Sequence, residues 1–202
     1  MKPIIHIGLG KTSTSFLQEV FFPNILKYSD RLFWENNVQL TNKILDHRDR
    51  MRLGKKIYKI KLPRNIFVSL ESLSAPSGWD PIYFEKFANL NLEAFGSNCE
   101  ILITIRKPRD WLKSNYTRNI GKLNVMSEEK FYLSKNDYKK YEINDLHCKS
   151  FSLEDFSYEK LYKIYSERFS NVKLIKYENL KKFDTWKNII NLEIDEYNHI
   201  LN

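Results

Sequence analysis

Residues Ile5 to Gln18 read IHIGLGKTSTSFLQ, and this stretch decides the fold. An apolar β-like run, Ile4–Ile7, gives way at Gly8 and Gly10 to a hydroxyl-rich loop, and a helical pattern opens at about Ser13. The two glycines are read as positions where the backbone turns tightly and lets an anion approach the amides. Lys11 adds a positive charge. Thr12, Ser13, Thr14 and Ser15 place hydroxyls where the unpaired N–H groups of a new helix point outward. Strand, glycine loop and helix N-terminus together predict a site for a phosphate-like or sulfate-like anion. His6 lies inside the strand and is read as a packed residue rather than a base.

Working outward, short β-like runs alternate with helical patterns. Asn65–Leu70 is a strand between Pro63 and the turn-rich Ser74–Gly78. Asp80-Pro81 reads as the start of a helix, with Asp as N-cap, Ile82, Phe87, Leu90 and Phe95 inward and Gly96 as the stop. Glu100–Ile105 is the best strand in the sequence, and Pro108 opens another helix beyond it. Ser152-Leu153-Glu154-Asp155 reads as a capping box for a helix that buries Leu153, Phe156, Leu161, Ile164 and Tyr165. Asn171–Lys176 is a last strand, followed by a short helix. This alternation predicts an α/β protein: a three-layer, P-loop-like fold with a mainly parallel central sheet flanked by helices. No repeat or linker divides the chain, so residues 1–202 are expected to form a single domain. In such sheets ligands gather beyond the carboxyl ends of the strands.

The loop is not a Walker A loop. That motif needs four residues between its glycine and the Gly-Lys pair, and here only Leu9 separates Gly8 from Gly10. The strand Glu100–Ile105 also ends in Arg106 rather than an aspartate able to hold Mg²⁺. Arg106 begins a second set of residues, Arg106-Lys107-Pro108-Arg109-Asp110-Trp111-Leu112-Lys113-Ser114. Arginine grips a phosphate through a fork of hydrogen bonds, and Ser114, about two helical turns beyond Pro108, could meet the same phosphate.

The Lys11–Ser15 loop, with Leu17-Gln18 after it, resembles the 5′-phosphosulfate loop of sulfotransferases that use 3′-phosphoadenosine-5′-phosphosulfate (PAPS). Ser13 stands where that family has glycine. Arg106 and Ser114 resemble the pair that holds the ribose 3′-phosphate in the same family. Val172–Leu180 resembles the strand ending in Tyr-Glu-x-Leu of many bacterial members, and is read as scaffold. The resemblance implies a carbohydrate-sulfotransferase-like bacterial enzyme with PAPS as co-substrate, PAP as product and no metal. Gly10, Lys11, Thr12, Ser13, Thr14, Ser15, Arg106 and Ser114 would bind the nucleotide, and Lys11 would also act in catalysis. It further implies a glutamate base after the middle strand, a position that Glu71 occupies. Glu71 could instead cap a turn or pair with Lys11; His47 and His147 are weaker choices because neither follows a clear strand.

The remaining composition narrows the partners. The net charge is +8 and the pI near 9.3, which favours an anionic partner such as a nucleotide, acidic glycan, nucleic acid or membrane surface. Lysines are spread along the chain rather than gathered in one arm, and aromatics sit at core-like spacing, so nucleic acid is not expected. The longest unbroken apolar run is three residues, as at Ile101-Leu102-Ile103, so no membrane span is expected. The N-terminus has no signal-peptide core. Cys99 and Cys148 are read as free thiols, and a cytoplasmic location is expected. The acceptor is expected to be a hydroxyl-bearing small molecule or glycan. Trp34, Arg48, Arg50, Arg52, Tyr132, Tyr138 and Tyr141 suit an acceptor cleft, but suit ordinary helix packing better. Two alternatives stay open: a nucleotide kinase or NTPase with a degenerate P-loop, and a relative that binds nucleotide or polyanion without turnover.

Overall fold

The computed structural model describes residues 1–76, 81–120, 132–133, 151–152 and 156–190. Among these the strands are β1 (Ile4–His6), β2 (Leu32–Phe33), β3 (Ile66–Ser69), β4 (Glu100–Ile105), β5 (Tyr132–Leu133), β6 (Phe151–Ser152) and β7 (Asn171–Lys176). The helices are α1 (Thr14–Phe16), α2 (Phe22–Ile25), α3 (Val38–Arg52), α4 (Phe84–Phe95), α5 (Pro108–Ile120), α6 (Tyr158–Ser166) and α7 (Phe183–Ile190). Five strands form one sheet in the order β2-β3-β1-β4-β7, while β5 and β6 pair separately. Every pairing in the large sheet is parallel. The protein is therefore an α/β fold with helices around a parallel sheet, as the alternation predicts.

β1 sits at the centre of the sheet and is covered on both faces. Ile4, Ile5 and His6 are all fully buried, the pattern of a strand covered on both sides. Ile4 lies opposite Phe67 and Glu100, and His6 opposite Ser69 and Leu102, so these residues share one face. Phe22 covers that face: its ring lies 4.5 Å from Phe67, 5.3 Å from His6 and 5.3 Å from Trp186 of α7. Ile5, Val68, Ile101 and Ile103 point the other way and are also fully buried, so the second face is covered too. After β1 the chain builds β2 and β3 on one side, then crosses to β4 on the other. The crevice beyond the carboxyl ends of β1 and β4 is thus the switch point at which open parallel sheets take ligands.

The helix after the loop is irregular. Between α1 and α2, Leu17–Phe21 forms a π-turn in which the Phe22 N–H donates to the Leu17 carbonyl. Pro23 follows at once. Proline has no N–H to give and its ring crowds the carbonyl four residues back, so the ladder widens just before it.

Several boundaries differ from the sequence reading. The α4 helix begins at Phe84, after a 3₁₀ turn at Pro81–Tyr83 that contains Ile82; Asp80 lies outside the described residues. Its buried face is Phe84, Phe87, Ala88, Asn91 and Ala94, with Leu90 and Phe95 only half-buried. Gly96 does end it, at φ 75°. The α6 helix does not start at Ser152. Ser152 lies in β6, and Ser157 caps the helix by accepting the Lys160 N–H at 3.2 Å. Leu161 and Tyr165 are buried as expected, while 153–155 are outside the described residues. The short edge strand β2 and the largely polar α3 have no counterpart in the sequence reading. In α3 only Leu40, Ile44, His47 and Met51 are buried, a stripe too sparse to stand out.

Gly8 is required for a reason other than turning. Its φ is not in the left-handed region. A Cβ built on it would sit 2.7 Å from His6 Nε2 and closer still to Thr104 Oγ1. Gly8→Ala is expected to destabilise the fold by about 1–3 kcal/mol through overpacking, read as a lower urea midpoint with an unchanged slope.

Candidate active site

The loop after β1 is fixed by a chain of buried hydrogen bonds. Thr12 Oγ1 donates to the Leu9 carbonyl and lies 2.7 Å from Thr104 Oγ1 of β4. Thr104 Oγ1 is 3.3 Å from His6 Nε2, and His6 Nδ1 is 2.7 Å from Ser69 Oγ of β3. Proton counting sets the directions. Thr12 has one proton and gives it to Leu9, so Thr104 donates to Thr12. Thr104 must then accept from His6 Nε2–H, which leaves Nδ1 to accept from the Ser69 hydroxyl. The neutral imidazole satisfies every partner. Complete burial accordingly pushes the His6 pKa down to about 3. His6 is a structural residue.

On the other side, Trp111 Nε1–H of α5 donates to the Gly10 carbonyl at 2.8 Å, and its indole stacks flat on Phe156 at 4.3 Å. Held between these two contacts, the loop takes positive φ at Lys11 (71°) and Ser13 (62°). The sequence reading gave the tight turning to Gly8 and Gly10; neither has a positive φ. Ser13 sits in the left-handed conformation just before α1, where glycine carries no steric penalty.

The loop opens onto a cavity of about 330 Å³ whose walls include Lys11, Ser13–Ser15, Glu71, Arg106 and Ser114. A second cavity of about 450 Å³ shares Lys11, Arg106, Ser114 and Arg118 with the first and adds Asp110, Lys113 and Thr117. The residues named from the end of β1, the end of β4, α5 and the end of β3 thus converge. Gly10 and Thr12 line neither cavity: Thr12 is fully buried, its hydroxyl turned inward. Thr14 is nearly buried and donates its hydroxyl to Glu71 Oε2. Glu71 opens a 3₁₀ turn after β3, at the carboxyl edge.

Arg106 is held by its surroundings. Its guanidinium lies 4.6 Å above the Tyr177 ring and donates to the Lys11 carbonyl at 3.4 Å. Its backbone N–H donates to the Tyr158 hydroxyl at 3.3 Å. Burial pushes the Tyr158 pKa up to about 12. Lys113, Thr117 and Arg118 were not singled out from the sequence. A signal existed: Asp110, Lys113, Ser114, Thr117 and Arg118 fall at helical spacing on one face of α5, beside the buried Trp111 and Asn115.

The weaker base choice His47 is buried 3.0 Å from Asn91, and burial lowers its pKa; His147 lies outside the described residues. The cleft candidates from α3 and before it line neither cavity, and Tyr132 lies in β5. Trp34 is buried, Arg48 pairs with Asp49, Arg50 with Asp46, and Arg52 donates to the Pro76 carbonyl. Tyr138 and Tyr141 lie outside the described residues. No helix among the described residues is long and apolar enough to cross a membrane.

Among solved structures the chain is similar to a sulfotransferase from Alicyclobacillus acidocaldarius. The TM-score is 0.57 at 15% identity, over 96% of this chain and 83% of that one. The likeness is one of fold. No family model and no curated protein matches the sequence.

Two consequences can be measured. Ser13→Gly relieves a left-handed serine at the cost of chain entropy, and is expected to raise stability by about 0.5–1 kcal/mol, seen as a higher melting temperature. His6 has its pKa lowered from 6.5 to about 3, so below pH 6.5 the unfolded chain takes a proton that the native one refuses. Stability from this group is complete above pH 6.5 and is lost as pH falls toward 3, by up to about 1.4 kcal/mol per pH unit. The slope of urea stability against pH in that window should flatten in His6→Gln.

Proposed function

We propose that the chain is a sulfotransferase that uses PAPS and passes its sulfuryl group to a hydroxyl acceptor, a carbohydrate being the best-suited class. One observation carries the reading: Lys11, Ser13, Thr14, Ser15, Arg106, Ser114 and Glu71 all line one cavity. The donor set fits a bisphosphorylated nucleotide. Lys11, Arg106, Lys113 and Arg118 offer four positive charges along the two joined cavities, against Glu71 and Asp110. The fold-level likeness to a sulfotransferase supports it.

When bound, PAPS supplies an activated sulfur: a new S–O bond forms to the acceptor oxygen as the bond to the nucleotide phosphate breaks. The protein's part is positioning and charge stabilisation. Lys11 and the amides of residues 13–15 neutralise charge that grows on the phosphate side. Arg106 and Ser114 hold the ribose 3′-phosphate and fix register. Glu71 takes the acceptor's proton, its Oε2 oriented by the Thr14 hydroxyl. Gly10 and Thr12 serve through the backbone, since the Thr12 side chain is committed elsewhere.

Calorimetric titration tests the reading. PAP is expected to bind without Mg²⁺ and more tightly than ATP-Mg. Arg106→Ala and Lys11→Ala should each weaken PAP about 10- to 100-fold, the loss of one charge-assisted contact. Glu71→Gln should retain PAP binding yet abolish sulfuryl transfer. A preference for ATP-Mg would favour the nucleotide kinase or NTPase alternative and sink the proposal. Tight PAP binding with no transfer to any sugar acceptor would point to the non-catalytic alternative.

A further inference from the structure

The positive charge is not spread evenly. From Arg50 to Leu70 the chain carries seven lysines and arginines and no acidic residue, against a net charge of +8 for the whole protein. Over the rest of the chain the charges nearly cancel, the basic residues of the candidate active site being offset by acidic ones elsewhere. A solvated protein surface ordinarily intersperses both signs; here one segment holds nearly all the imbalance.

The structure explains how this segment is displayed. Between the end of α3 and the start of β3 the chain has no regular secondary structure, and it is pinned at two places. Ile57 and Ile60 are buried, and the Ile60 N–H donates to the Ala94 carbonyl at 2.8 Å. With those side chains turned inward, Lys55, Lys56, Tyr58, Lys59, Lys61 and Arg64 all face solvent. Arg50 is spoken for, bonded to Asp46 and lying 4.4 Å above the Tyr58 ring. The exposed charge is therefore mainly lysine. Two large apolar side chains stand among these cations: Leu53 is 65% exposed and Tyr58 54%. None of these residues lines either cavity of the candidate active site.

We infer that this ribbon, Leu53 to Arg64, docks the protein on the surface of an anionic lipid bilayer. Three features favour a membrane over a nucleic acid. Lysine is a strongly hydrated point charge suited to a diffuse layer of headgroups, whereas forked recognition of fixed phosphates favours arginine. Clusters of four to eight cations bind anionic leaflets with roughly 1 kcal/mol, or about fivefold, per lysine. Leu53 and Tyr58 give such a cluster an apolar tooth and an amphipathic ring of the kind that settles at the interface. The attachment is peripheral, and it leaves the cavities open.

Vesicle co-sedimentation tests this independently of the proposed activity. The full chain is expected to sediment with phosphatidylcholine vesicles that contain phosphatidylserine, and not with phosphatidylcholine alone. Added salt should release it. The variant Lys55→Ser/Lys56→Ser/Lys59→Ser/Lys61→Ser should bind at least about 100-fold more weakly, and Leu53→Ser several-fold more weakly. Both variants should keep the wild-type melting profile and PAP titration, which separates loss of docking from loss of fold or of the nucleotide site. The inference is overturned if binding ignores phosphatidylserine, if the lysine variant still sediments, or if the chain binds no vesicle. It is equally overturned if duplex DNA or heparin is retained through these lysines while vesicles are not.

Discussion

The buried chain of hydrogen bonds from Ser69 through His6 and Thr104 to Thr12 is the interaction on which the rest depends. It joins β3, β1, β4 and the loop, and each of its polar groups would cost free energy if left unpaired in the interior. Because one loop hydroxyl closes the chain, the loop conformation and the register of three strands are a single decision. Gly8 makes it possible, since any side chain there would enter the space that His6 and Thr104 fill. Trp111 holds the opposite side of the loop at Gly10. The left-handed turns at Lys11 and Ser13 are therefore imposed from both flanks, against the local preference of those residues.

Much of this was legible in the sequence, and the limits are physical. The strands at 4–7, 65–70 and 100–105 stood out because they are short, mostly apolar runs buried on both faces; the edge strand at 171–176 buries only Ile175, and a parallel sheet followed from the segments between the strands. β2 was invisible because two residues carry no period, and α3 because its buried stripe is broken by charge. The capping box at Ser152 misled because Ser157 offers the same chemistry five residues later, and only the fold decides between two good caps. In the site, Lys11, Arg106 and Glu71 stand just past strand ends, a rule of topology, while Ser114 lies within the helix after Arg106 and was joined to it, as Glu71 was to its role, by the family resemblance. The inward turn of the Thr12 hydroxyl was not legible because a hydroxyl beside an anion loop can face outward or inward, and its partner, Thr104, is distant in sequence.

The loop's composition follows from the same division of labour. Of the four consecutive hydroxyl residues, Thr12 is turned inward, while Ser13, Thr14 and Ser15 line the cavity and Thr14 is also joined to Glu71. A side chain that both anchors the loop and binds an anion would have to break one bond to make the other. Separating the tasks lets the cavity keep its shape before any ligand arrives, which is what electrostatic stabilisation requires.

Charge is divided in a similar way. Arg106 is braced by the Tyr177 ring and the Lys11 carbonyl, so little of its freedom remains to be lost on binding an anion. In the ribbon before β3 the lysines have no such bracing; they stand on a backbone pinned by Ile57 and Ile60. A braced arginine selects a ligand of fixed shape, while unbraced lysines answer to the sign and density of charge on a broad, fluid surface. The two regions proposed to bind anions would then discriminate by different physics: geometry at the cavity, and net charge at the ribbon.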